Sequence, residues 1–142
     1  EIYTLSLHDA LPIYASRMKL VVAESVPFSE YCKMMDGSDA IMDQLYSYTP
    51  AMNALEAMSK GIICIGGGEE ANYDILGEQT LRPIINVRPT YESVYSETER
   101  LIMHPERIAQ LKKESLEYIA KHHDYVKVAR RYEEIYMRIL NE

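Results

Sequence analysis

From Lys19 onward, short apolar runs alternate with amphipathic stretches, and the alternation predicts strands and helices in turn. Leu20-Val21-Val22-Ala23 is a continuous apolar run, the pattern of a strand buried on both faces. After Val26-Pro27, residues Phe28 to Met35 fit a short helix closed by Asp36-Gly37. Asp39 to Leu45 reads as a second strand. Thr49 then offers an N-cap and Pro50 suits the first helical position, with the helix running to Lys60 until Gly61 stops it. Ile62 to Ile65 is a third buried strand, followed at once by Gly66-Gly67-Gly68. A short helix over Glu70 to Leu76 ends at Gly77, and Pro83 to Val87 forms a fourth strand.

The remainder is helical. Tyr91 to Met103 forms one helix, stopped near His104-Pro105. Glu106 to His122 forms another, with Ile108, Leu111, Ser115, Tyr118 and Ile119 on one face. Asp124 caps a last helix to about Leu140, whose apolar side is Tyr125, Val128, Ala129, Tyr132, Ile135, Tyr136 and Ile139. Apolar strands alternating with helices predict an α/β fold: a Rossmann-like parallel sheet with helices on both faces, short of its first strand or two. Residues 1–13 stand apart. Thr4 to Ile13 resembles a translated sequencing-adapter oligonucleotide, so the fold is expected within 14–142, as the C-terminal part of a longer protein cut at its front edge.

Charge sharpens this picture. The chain of 142 residues carries a formal −7, which argues against a nucleic-acid partner. From Glu106 to the end, eight Lys/Arg face seven Asp/Glu, so residues 1–105 carry −8. Any anion bound there needs something besides nearby side-chain cations. Cys32 and Cys64 are far apart with no His cluster between them, and read as reduced thiols. No run approaches the roughly 20 apolar residues that span a bilayer, so a cytoplasmic setting is the expectation. His122 and His123 are adjacent, point to different helix faces, and read as a solvated helix end. Lys127, Arg130 and Arg131 read as a helix surface. The 12 Tyr and 8 Met read as core and interface filling. Neither a metal nor a cofactor is called for.

Ligands of open parallel sheets bind beyond the carboxyl ends of the strands, and two segments fit that position. The first is Tyr46 to Met58, where Ala51 and Ala54 let a ligand approach a helix start whose free N–H groups suit phosphate oxygens. Such a charge–dipole contact is worth only about 0.3–1 kcal/mol when exposed, so a diphosphate would need Arg or Lys as well. No basic residue stands near this turn in sequence. Glu56, further into the helix, can accept two ribose hydroxyls or simply pair with a surface cation. The second segment is Gly66-Gly67-Gly68-Glu69-Glu70, where three glycines permit unusual backbone angles and close ligand approach. Gly66-x-Gly68-x-x-Ala71 also matches a degenerate dinucleotide fingerprint, with Asn86 in place of the acidic ribose partner.

These residues carry a resemblance. Leu55-Glu56-Ala57-Met58-Ser59-Lys60-Gly61, a buried strand and Gly66-Gly67-Gly68-Glu69-Glu70 follow one another as in retaining GT-B glycosyltransferases of family 4, the group 1 type. His123-Asp124-Tyr125-Val126-Lys127-Val128-Ala129, with Tyr132 and Tyr136, is similar to that family's closing helix. The resemblance covers about residues 18–140 and implies the donor-binding half of an enzyme that moves a sugar from a nucleotide diphosphate to an acceptor. It implies that Glu56 binds the ribose and that Ala51, Met52 and Asn53 face the diphosphate. Val26 and Pro27 would border the base, and Tyr48, Gly67, Gly68 and Glu69 would lie near the sugar. The family's usual glutamate is Tyr48 here, and a glycine common near position 51 is Ala51. The family's basic diphosphate-binding residues lie upstream of the matched segment, so the part in hand is expected to be inactive alone. Peripheral membrane contact through that upstream half is also within the family's habits. Two alternatives stay open: a non-catalytic nucleotide- or protein-binding module, and a degenerate dinucleotide-binding oxidoreductase domain.

Overall fold

A computed structural model describes residues 17–141. The suspected adapter segment lies outside the described residues. Three short strands, β1 (Ala40–Met42), β2 (Ile63–Gly66) and β3 (Ile85–Asn86), form an open sheet in the order β1-β2-β3. Both pairings are parallel, with Ala40 opposite Ile63 and Ile65 opposite Ile85. The helices are α1 (Phe28–Asp36), α2 (Met52–Ser59), α3 (Glu70–Leu76), α4 (Tyr91–Met103), α5 (Glu106–Tyr118) and α6 (Tyr125–Leu140). A π-helical turn, Ile119–His123, joins the last two.

Side chains alternate across a strand, so β2 sorts the core into two sides. Ile63 and Ile65 pack with Val94 and Leu101 of α4 and Leu111 of α5. Cys64 faces the other way, into Ala54 and Met58 of α2, Tyr73 of α3 and Tyr118 of α5. Helices therefore cover both faces, which is why every residue of β2 is buried. The Cys64 thiol is pushed up to about 12 by that burial, and both cysteines are free.

Several boundaries fall where the patterning places them. α3 and α4 match their expected spans, and Asp124 caps α6 by accepting from the N–H groups of Val126 and Lys127. Gly61 and Gly77 end α2 and α3 with φ of 74° and 65°, a conformation glycine adopts without a Cβ penalty. Four expectations are corrected. Leu20 to Ala23 forms no strand: Val21 and Val22 are exposed, because an apolar run becomes a strand only beside a neighbour to pair with. The Asp39–Leu45 strand contracts to Ala40–Met42, and the Pro83–Val87 strand to Ile85–Asn86. α2 starts two residues later than Pro50, at Met52, with Ala51 in the N-cap position. As expected, one face of α6 is apolar; it is unburied, with no buried residue along the helix. Among the described residues, no helix is long and apolar enough to cross a membrane.

His122 overturns the reading of 122–123 as a solvated end. It is 4% exposed, and its Nε2 lies 2.6 Å from Glu78 Oε2. An ionised carboxylate only accepts, so Nε2 carries the proton. Glu78 also accepts from Lys121 Nζ at 2.6 Å, from the N–H and hydroxyl of Thr80, and from the N–H of Leu81. Both His122 and His123 rings pack on Tyr118. The π-helical turn is thereby clasped to the loop after α3 through one fully buried carboxylate. His122, Lys121, and the Leu81 and Thr80 N–H groups hold that carboxyl well below the usual range. Such a group stabilises the fold fully above the unfolded carboxyl value of about 4.3, and this is lost as pH falls toward the folded value. Glu78→Gln is expected to cost about 1.5–3 kcal/mol at pH 7. The gap to wild type should narrow below about pH 4; thermal melts of both proteins from pH 7 to pH 3 measure it.

Candidate functional site

The carboxyl ends of all three parallel strands lie along one edge, and the chain leaves each by a loop. Asp43, just past β1, donates its N–H to Ile65 O at 2.9 Å. Its carboxylate turns toward α2, where Oδ2 accepts the Ala51 N–H at 2.8 Å. This bond replaces the cap expected from Thr49, because the residue bridging strand and helix comes from eight positions earlier. Asp43 is buried, and its Oδ1 has no partner among the described residues. Between these two points the chain makes a tight turn. The Ser47 N–H donates to Gln44 O, and the Ser47 hydroxyl donates to Thr49 O at 2.7 Å.

That turn lies on the triple glycine. A Cβ on Gly67 would stand 1.9 Å from Ser47 O, one on Gly68 would stand 2.7 Å from the Ile84 side chain, and one on Gly66 would stand 3.1 Å from Asp43 Cβ. All three glycines are buried. Their missing side chains make room for other parts of the protein, the Ser47 backbone at Gly67 and the Ile84 side chain at Gly68, so they shape the site from beneath. The Gly68 N–H donates to Asn86 Oδ1 at 3.0 Å, which ties the turn to the end of β3.

Two adjoining clefts open above this platform. One, of about 380 Å³, is lined by Leu45 to Tyr48, Glu69, Glu70 and Asn86 to Pro89. The other, a broader opening of about 870 Å³, runs from Met42 to Thr49 and reaches Asn53. The 45–48 loop borders both. Beside the broader opening, the N–H groups of Met52 and Asn53 at the start of α2 have no acceptor among the described residues. They and the helix dipole favour an anion or a polar oxygen there.

The expected site residues divide accordingly. Tyr48 and Glu69 line the smaller cleft together, with the Tyr48 side chain 71% exposed, and Tyr48 and Asn53 line the broader opening. Ala51 and Met52 sit at the α2 start as expected. Gly67 lies under the loop and Gly68 against Ile84, and neither lines a cleft. Glu56 is half-exposed on α2, 3.9 Å from Lys60 one turn on, and lines neither cleft. Val26 and Pro27, just before α1, also lie outside both.

Two participants escape a linear reading. Asp43 is the buried link that positions α2. Arg88, which follows β3 by two residues, lines the smaller cleft together with Tyr46 to Tyr48, a turn with no basic residue near it in sequence. The strand order of the sheet places β3 beside β2, and hence Arg88 opposite the 46–48 turn. Among the described residues, no group of three metal-ligating side chains occurs. Compared with models of protein families, with curated proteins and with solved structures, the chain matches none.

The close fit of Gly67 under Ser47 makes a direct prediction. Gly67→Ala must push the 45–48 loop away and is expected to cost about 1–3 kcal/mol in chemical denaturation. Wild-type stability in that variant would show that the loop does not rest on the glycine.

Proposed function

We propose that this chain is the donor-binding part of a retaining glycosyltransferase, of Rossmann-like GT-B architecture, acting on a nucleotide diphosphate sugar. The observation that carries the reading is the pair of clefts at the carboxyl edge of an open parallel sheet, beside the unsatisfied N–H groups of α2. Such edges receive nucleotides in sheets of this kind because helix starts there offer backbone donors to phosphates. In this reading, the diphosphate lies against Met52 and Asn53, and the sugar lies over the 46–48 turn near Glu69. The ribose would reach Glu56 by displacing its long, solvent-screened contact with Lys60, an exposed pair that contributes little by itself. The leaving group is the nucleoside diphosphate, whose developing charge the α2 start and a cation would stabilise. The acceptor and any upstream half of the enzyme belong to the same proposal, as does membrane contact through that half.

A dinucleotide reading is less well supported. α3 has only seven residues after the glycine turn, and Gly67 and Gly68 are already taken up by Ser47 and Ile84. Titration of the protein with UDP, GDP and NAD, followed by calorimetry, separates these readings. Selective UDP or GDP binding, weakened about tenfold or more in Glu56→Ala, is the expected result, a loss on the scale of one charged hydrogen bond. NAD binding with no response to UDP or GDP would overturn the proposal.

A further inference from the structure

We infer that Arg88 pairs an oxyanion of the ligand in the smaller cleft, supplying from beyond β3 the cation that the α2 turn lacks. This rests on the nucleotide-sugar reading and adds a residue to it. Among the described residues, Arg88 is the one cation lining either cleft. Several other cations of the fold are already paired: Arg82 binds Glu70 at 2.6 Å, Lys60 binds Asp36, Lys112 binds Asp39 at 2.6 Å, and Lys121 binds Glu78. Arg88 forms no ion pair among the described residues, although Glu69 and Glu70 line the same cleft. Only its backbone is tied down, the N–H donating to Ser93 Oγ at 2.9 Å. The loop is thus anchored while the guanidinium stays uncommitted.

The surroundings define what the guanidinium meets. Glu70 is already neutralised by Arg82, so its charge opposes an incoming anion only weakly. Asn86 accepts the Gly68 N–H through Oδ1, which leaves its Nδ2 as a second donor on the lining. Glu69 forms no ion pair among the described residues, and a carboxylate without a cation accepts hydroxyl hydrogen bonds. A cleft with an unpaired guanidinium, an amide donor, a carboxylate and the Tyr48 ring suits a hydroxylated ligand bearing an oxyanion. Planar guanidinium matches either a phosphate or a carboxylate with two parallel bonds, and a lysine ammonium does not. The oxyanion therefore has two sources: the donor's phosphate or the carboxylate of an acidic sugar.

Calorimetric titration of wild type, Arg88→Ala and Arg88→Lys with pyrophosphate, UDP, UDP-glucose and UDP-glucuronate tests this. Loss of pyrophosphate and UDP affinity in Arg88→Ala by roughly ten- to a hundredfold, only partly restored by Lys, assigns Arg88 to the diphosphate. An equal loss confined to UDP-glucuronate assigns it to the sugar carboxylate. Either supports the inference. If Arg88→Ala binds all four ligands like wild type, the inference falls and the donor reading stands. Arg88-dependent binding of pyrophosphate without any UDP binding keeps the inference and removes the donor reading; no binding of any of the four by wild type overturns both. Equal melting temperatures of wild type and Arg88→Ala exclude misfolding, since the altered side chain has no structural partner.

Discussion

The closest glycine approach in this fold is that of the 45–48 loop to the backbone of Gly67. Space for a side chain does not exist there: a Cβ would stand 1.9 Å from Ser47 O. Everything at the carboxyl edge inherits its position from that contact. The loop leaves β1 through Asp43, rests on the glycine turn after β2, and enters α2 at Ala51, whose N–H returns to Asp43. Gly68 passes the constraint on to β3 through Asn86. Three strand ends are thus tied into one surface by one carboxylate, one amide and a run of absent side chains.

Much of this was legible in the chain. Strong local signals worked: the buried run before Gly66, the cap at Asp124, and the stops at Gly61 and Gly77 depend on neighbours a few residues away. His122 also lay within reach, since it follows Tyr118 by four residues and so falls on the buried side of the same helix. Its partner Glu78 did not, because 44 residues separate them and nothing local reports that the two meet. The Leu20–Ala23 run failed for the converse reason, having the composition of a strand but no neighbour. Glycines at 66–68 were visible as special, yet sequence alone could not tell whether ligand or protein backbone would fill the space.

Charge shows the same division between near and far. Counting along the chain, the α2 turn lies in a segment of −8 with no cation nearby, which makes anion binding look dependent on residues outside it. In the folded chain, the sheet order carries Arg88 to the opposite wall of the cleft bordered by Tyr46 to Tyr48. The distance that matters is set by β2–β3 pairing, a long-range property. Meanwhile Glu78 consumes Lys121 and His122 at a separate, buried clasp that holds the C-terminal helices in place. Cations of this acidic protein are thus divided between holding the fold and remaining available at its edge.

Hydrogen–deuterium exchange of the protein with and without saturating UDP tests the placement of the ligand most directly. Slowed exchange confined to residues 45–53 and 86–89 is the expected result, because the free N–H groups of Met52 and Asn53 would gain an acceptor. UDP binding that leaves those segments unchanged and protects others instead would contradict a nucleotide site at this edge of the sheet.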